Sequence, residues 1–146
     1  MAGGYFPPVS FHFKVTFLGI GNDNDCRFQS VSGLNIDMQT KTIKEGGENR
    51  FEHVLPSGTR YSNLILKRGL LVDSGIIEWC MNAFRNLKIE PVDLIIDLLD
   101  EKHDPLMSWD VINAWPVKWS VSEMNAEQNS VFIETIELSY NYFKTI

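Results

Sequence analysis

Apolar and polar residues alternate along most of this chain. In "FHFKVTF", Phe11, Phe13, Val15 and Phe17 are set against His12, Lys14 and Thr16, the period of two expected of a strand with one buried face. "GIGNDND" follows, rich in residues that tolerate positive φ or form Asx-turns, so the first strand is expected to hairpin into a second. In "FQSVSGLNIDM", Leu34, Ile36 and Met38 share one parity while Phe28 and Val31 differ, which predicts a bulge or bend near Ser32 and Gly33. The pattern then lapses. "QTKTIKEGGENRFEH", Gln39 to His53, has mixed charge, a Gly-Gly pair and little apolar content, and it predicts a long loop. Loops of that length inside a compact domain are usually functional or disordered. "LPSG", Leu55 to Gly58, predicts a closing turn.

"YSNLILKRG" predicts a strand with Tyr61, Asn63, Ile65 and Lys67 on one face and Ser62, Leu64, Leu66 and Arg68 on the other, neither face cleanly apolar. "DSGIIEWCMNAFRNL" changes period. Ile76, Ile77, Cys80, Phe84 and Leu87 form a helical stripe, Asp73 or Ser74 can cap its start, and Glu78 and Arg85 suit the helix dipole. "VDLIIDLLD" and "LMSWDVINAW" predict two strands joined at "EKHDP", and "PVKWSVSEM" predicts another. The last, "VFIETIELSYNYF", places Ile136, Leu138, Tyr140 and Tyr142 on one face. About seven strands and one helix predict a mainly β (α+β) domain spanning 1–146, an antiparallel β-sandwich or open barrel with one flanking α-helix.

Composition narrows the class. With 146 residues, 44% hydrophobic and 22% charged, the chain is one ordinary globular domain. Thirteen basic against nineteen acidic residues give 13 − 19 = −6, which argues against nucleic acid or an anionic membrane as the main partner. No apolar run approaches the roughly 20 residues of a membrane span, so no membrane anchor is expected. "MAGGYFPPVS" has neither the basic nor the apolar region of a signal peptide, which predicts synthesis in the cytoplasm. Cys26 and Cys80 are far apart and are read as reduced thiols.

Candidate chemistry is sparse. "DLLDEKHD" gathers Asp97, Asp100, Glu101, His103 and Asp104, which could collect a divalent ion, but alternation sends neighbouring carboxylates to opposite faces and favours a solvated hairpin tip. "GNDNDC" lacks the glycine and final glutamate of a calcium loop, and "GIGNDN" lacks the third glycine and helix of a dinucleotide site. His12, His53 and His103 have no nucleophile at a recognisable spacing, and Cys80 lies on the apolar helix stripe. No catalytic, metal or cofactor residue is expected, and the chain reads as a non-enzyme that needs no cofactor.

"FQSVSGL", "EGGENRFEHVLP", "YSNLILKRG", "NAWPVKW" and "VFIETIELS", in this order, resemble the inner-tube proteins of contractile injection systems, the family that includes the tail tubes of contractile phages. The resemblance runs from about Phe11 to Ser139. It implies hexameric rings that stack into a hollow tube, with neighbouring sheets joined in one barrel around the lumen. Its implied partners are other copies of the chain, a contractile sheath protein, baseplate and spike-hub proteins, a tube terminator and a lumenal payload. It places the protein in an extracellular or cell-associated injection particle or a virion tail. The segment at about 39–54 would be the inter-ring loop, with Lys41, Lys44, Glu45, Gly46, Gly47, Glu48, Asn49 and Arg50 as contacts. Tyr61, Ser62, Asn63, Lys67, Arg68, Gly69, Trp115, Pro116, Trp119, Tyr140 and Tyr142 would lie at subunit junctions. The end, "SYNYFKTI", departs from the His-Glu-Gly close of many tube proteins, which keeps a tube-initiating end-ring paralogue as an alternative. A free-standing monomeric binding module is the alternative of another class.

Overall fold

The structure, a computed structural model, describes residues 11–21, 25–44, 52–71, 73–126 and 129–146, without the side chains of 124–126, 129 and 130. Its elements are β1 (His12–Phe17), β2 (Arg27–Phe28), β3 (Ser30–Ser32), β4 (Ile36–Ile43), β5 (His53–Tyr61), β6 (Leu64–Gly69), α1 (Gly75–Asn86), β7 (Val92–Leu99), β8 (Pro105–Ala126), β9 (Asn129–Ser139) and β10 (Tyr142–Thr145). Eight strands hydrogen-bond in the order β2-β1-β7-β8-β9-β6-β3, with β10 added on β8, and every pairing is antiparallel.

The two ends of that order meet. β2 pairs with β1 and β3 pairs with β6, yet only Gln29 separates β2 from β3 in the chain, and its N–H donates to the Lys67 carbonyl at 2.9 Å. A single six-residue segment therefore closes the sheet on itself, the arrangement of a small barrel, in which no edge is left at the seam. β8 is 22 residues long and changes partner along its length. Its residues 105–114 pair with β7 and its residues 115–126 pair with β9. Near the change of partner, Asn113 adopts a left-handed φ of 54°, and a bulge falls between Pro116 and Lys118. Proline, which cannot donate to a ladder, is tolerated at such a place. The two strands expected either side of "NAWP" are thus one.

The core holds Val15, Phe17, Phe28, Leu64, Leu66, Leu94, Ile96, Val111, Ala114, Ile136 and Leu138 from the strands and Ile76, Trp79 and Cys80 from α1. Each strand contributes alternate residues, as the period of two requires. The predicted helix is present, begun by Ser74, whose side chain accepts from Ile77 N–H, and ended by Leu87 at φ 52°. Its buried face differs from the expected stripe. Trp79 and Ala83 replace Phe84 and Leu87, which are 38% and 82% exposed, because Trp79 reaches back to stack edge-on against Phe17 at 5.7 Å and donates Nε1–H to the Glu90 carbonyl.

Three expectations are corrected. Gln39 to Ile43 and His53 belong to strands: β4 and β5 form a two-stranded sheet of their own, and "LPSG" lies inside β5, bulged opposite Gln39 and Thr40. In β6 the face carrying Leu64, Leu66 and Arg68 is a true core face, Arg68 included. The final strand is interrupted at Tyr140 and Asn141. β10 continues along β8 in the register of β9, but the interruption changes parity, so Phe143 packs inward while Tyr142 is 42% exposed. Neither Cys26 nor Cys80 is in a disulfide.

Candidate functional site

The surfaces that set this chain apart are an arm, the root that carries it, and two open strand edges. β4 and β5 are exposed along almost their whole length and pack on each other and little else in the chain. Directly paired residues point to the same side of a two-stranded sheet. Ile36 with Tyr61, Met38 with Thr59, Thr40 with Pro56 and Thr42 with Val54 therefore form one face without a single charge. The other face carries Asp37, Lys41, His53 and Arg60 among Gln39, Ile43, Leu55 and Gly58. Met38 is 60% exposed and Val54 61%, an apolar load that no described residue covers. At the far end, Lys44 and Glu52 face each other at 3.6 Å. Lys41 lies on the charged face, whereas Glu45, Gly46, Gly47, Glu48, Asn49 and Arg50 fall outside the described residues.

Four of the predicted junction residues meet at the root of the arm. Ser62 Oγ donates to Asn35 Oδ1 at 2.6 Å, and Asn63 Nδ2 donates to Glu137 Oε2 at 3.1 Å. Tyr61 and Tyr140 join Phe143 in an aromatic cluster with centroids 5.3 to 6.2 Å apart. Burial, with Tyr61 nearby, pushes the Tyr140 hydroxyl up to about 12. Gly33 stands at φ 95°, and a Cβ there would lie 2.0 Å from the Asn63 carbonyl oxygen, so only glycine lets the two chains of the root approach. The arm is fixed at its base by contacts within the subunit.

Arg68 is 2% exposed and turned into the subunit. Its Nε donates to Glu134 Oε2 at 2.7 Å, its Nη1 to Asp25 Oδ1 and to the Asp25 carbonyl at 2.7 Å each, and its Nη2 to Ser74 Oγ at 2.9 Å. The guanidinium also lies 4.7 Å above the centre of the Phe28 ring. Trp119 Nε1 donates to Glu134 Oε1 at 2.7 Å, and Asp25 Oδ2 accepts from Ile76 N–H at the start of α1. Two carboxylates face one guanidinium here, and the positive end of the helix dipole meets the second negative charge. The network ties β6, β8, β9, the chain before β2, and α1 together. Lys67 is exposed, Gly69 pairs with Ile133, Trp115 with Ser139, and Pro116 is buried against Leu138.

Besides the outer edges of β4 and β5, two open edges flank β8 among the described residues. β10 pairs only with β8, and residues 115–126 of β8 pair only with β9. The acidic tip is a solvated turn: Asp100 Oδ1 accepts from the N–H groups of Lys102 and Asp104, and Ser108 Oγ donates to Asp97. Among the described residues no three His, Cys, Asp or Glu side chains are grouped to hold a metal ion, and no helix is long and apolar enough to cross a membrane.

The profile of the T4-like virus tail tube protein gp19 family matches residues 9–144. The chain belongs to that tail tube family. Tail tube proteins are structural, and this one is a structural tube subunit. A comparison with curated protein sequences finds no match. Among solved structures, a chain of the anti-feeding prophage baseplate is 30% identical, with a TM-score of 0.78 over 98% of this chain and 97% of that one. A chain of the anti-feeding prophage tube-terminating cap is 28% identical, with a TM-score of 0.73 over 100% and 94%. A chain of the sheath-tube complex of an extracellular contractile injection system, PVC, is 23% identical, with a TM-score of 0.72 over 99% and 95%, and shares the fold. Sequence reasoning reached the family but missed the Arg68 network. The signal was present, since Leu64–Leu66–Arg68 and Glu134–Ile136–Leu138 each run a charge onto an apolar parity.

Proposed function

We propose that this tail tube subunit closes into six-membered rings by pairing open strand edges between neighbours, and that the rings stack into a hollow conduit. The observation that carries the reading is the pair of open edges on opposite sides of β8. The outer edge of β10 and the free edge of residues 115–126 differ from each other, so one subunit's first edge meets the next subunit's second. Unlike edges joined head to tail generate a ring where the rotation closes. The arm then reaches a subunit of the adjacent ring with its uncharged face, which gives Ile36, Met38 and Val54 the cover they lack in the monomer. Lys67 and Tyr142, both exposed, remain junction candidates, and so do the unplaced residues of the arm's far end.

A sheath partner, a terminator and a baseplate follow from the sheath-tube, cap and baseplate assemblies in which the similar chains occur. Contraction of the sheath would drive the tube outward, with payload in the lumen, in a particle outside the producing cell. Nothing in this role requires catalysis. An end ring is kept as the alternative because a similar chain occurs in the anti-feeding prophage baseplate. Negative-stain electron microscopy of the purified protein across a concentration series, with its mass in solution, tests the reading. Hollow rods of uniform diameter support a repeating tube subunit, and isolated rings support an end ring. A monomer at all concentrations, even with a preformed tube end supplied as template, overturns both.

A further inference from the structure

The two open edges that flank β8 differ in how much of each can be paired. β10 offers four residues, Tyr142 to Thr145, along its outer side. The free edge of β8 is blunted where it begins. Asn113 is left-handed, Pro116 has no N–H to give, Val117 is passed over in the bulge between Pro116 and Lys118, and Lys118 is exposed. Proline, bulges and lysine are the devices by which strand edges ordinarily discourage a neighbour. Trp119, Ser120, Val121 and Ser122 follow in regular pairing with β9 and carry no proline, bulge or charge, a stretch as long as β10.

Rotational symmetry fixes how the two meet. Neighbours in a ring are related by a turn about its axis, and such a turn changes neither the axial direction of a strand nor which of its faces looks toward the axis. Strands of a closed barrel tilt about 35–45° from the axis, so each keeps a definite axial direction. β10 runs antiparallel to β8 of its own subunit, and therefore antiparallel to β8 of the next. Faces follow in the same way. Phe143 lies opposite buried Val111 and packs on the core, so Tyr142 and Lys144 point away from it. On β8, Trp119 and Val121 lie opposite buried Ile136 and Glu134, so Lys118, Ser120 and Ser122 point away. Directly opposed residues share a face, and Tyr142 and Lys144 must fall opposite members of that second set.

A slip of one residue exchanges the faces, so the nearest alternatives are slips of two. One of them sets Lys144 against Lys118, like charges directly opposed, and runs Thr145 into the bulge at Val117. The other sets Phe143 against the Glu123 carboxylate. We infer that Tyr142, Phe143, Lys144 and Thr145 of one subunit pair with Ser122, Val121, Ser120 and Trp119 of the next, a register that rests on the ring reading proposed above. Phe143 then meets Val121, an aromatic opposite a β-branched residue, which is a favourable cross-strand pair, and Val121 is 37% exposed in the subunit. Lys144, whose contact with Asp110 is long at 4.0 Å, faces a hydroxyl. Asn141, one residue before the strand, comes opposite Glu123 with an amide to donate.

Cysteine pairs across the interface read the register. Directly opposed Cβ atoms lie about 4.5–5.5 Å apart and diagonal ones about 7–8 Å, and only the former are near disulfide range. Rings of Lys144→Cys/Ser120→Cys, mildly oxidised, are expected to give a ladder of linked subunits whose peptide map joins the two introduced cysteines. Linkage in Lys144→Cys/Lys118→Cys or Lys144→Cys/Ser122→Cys in its place, or rings visible by electron microscopy that link in none of the three, overturns the register and leaves ring formation standing. Native protein that forms no ring, even on a preformed tube end, overturns the reading beneath it. A second comparison needs no cysteine. Ser120→Lys faces Lys144 and is expected to lose ring formation while still melting cooperatively, whereas Ser122→Lys faces Tyr142 and keeps it. The reverse result, or equal ring yields from the two, overturns the register.

Discussion

At the residue scale, Arg68 is the largest single commitment in the subunit. Four of its hydrogen bonds end on groups that are themselves buried or half-buried, so removing it strands Asp25 and Glu134 as charges inside the barrel. Breaking a buried pair in that way costs about 3–5 kcal/mol. Arg68→Ala is therefore expected to lower the unfolding free energy by about that amount in urea denaturation, with Arg68→Lys recovering little because an ammonium cannot match the planar fork. The arginine was visible in the sequence, but its environment was not. It shares parity with Leu64 and Leu66, while its cross-strand partner Glu134 lies 66 residues away. Only register unites two charges that each look like an isolated lapse in a strand. Cys80 gives a second expectation. Burial, with Glu134 nearby, pushes its thiol from 9.0 up to about 12. A group that binds its proton more tightly when folded contributes stability that is intact below pH 9 and is lost as pH rises toward 12. Unfolding free energy should therefore fall above pH 9, by up to about 1.4 kcal/mol per pH unit for this one proton. Cys80→Ala should flatten the part of the fall that precedes the further fall from Tyr140, whose hydroxyl is likewise pushed up from 10.0 to about 12, as measured by denaturation at pH 8, 9 and 10.

At the scale of elements, α1 shows how far pattern reading goes. Its cap and its limits were legible because Ser74, Glu78 and Arg85 act locally. Its buried stripe was not, because the facing elements chose Trp79 and Ala83 over Phe84 and Leu87. Leu87 consequently ends the helix in a left-handed conformation with 82% of its surface in water. A left-handed leucine is strained by roughly 1–2 kcal/mol, and glycine is the usual residue there. Leu87→Gly is expected to raise the melting temperature, corresponding to about 1 kcal/mol once the extra freedom of glycine when unfolded is deducted. The arm was misread for a related reason. Period-two patterning reports a difference between a wet face and a dry one, and neither face of β4 or β5 is dry within the subunit. Thr40, Thr42 and Ile43 are good strand formers, but no burial contrast marked them. The root shows the opposite case: Gly33→Ala should be poorly tolerated, since its Cβ would meet the Asn63 carbonyl at 2.0 Å. Loss of soluble protein, or displacement of the arm seen in its exchange pattern, would check it.

At the scale of the whole molecule, fold and assembly make separate demands on the sequence. The barrel was legible because its strands alternate against a common core. The proposed interfaces were not, because they would be built from residues a lone subunit leaves in solvent. That separation is testable. Met38→Glu places a charge on the uncharged face of the arm, at a position 60% exposed in the subunit. It is expected to leave the melting temperature within about 1 °C, as surface substitutions do, while sharply reducing the yield of stacked tubes by electron microscopy. β8 gives the last consequence. A strand rises about 3.3 Å per residue, so the 22 residues of β8 follow a path of roughly 70 Å, interrupted near Asn113 and Pro116, that belongs to both halves of the barrel. Its neighbours run antiparallel along its length, and a load applied along it would have to slide many ladder bonds at once instead of unzipping them singly. The subunit is thus expected to be stiffest along β8, and softest at the two edges proposed to pair with a neighbour.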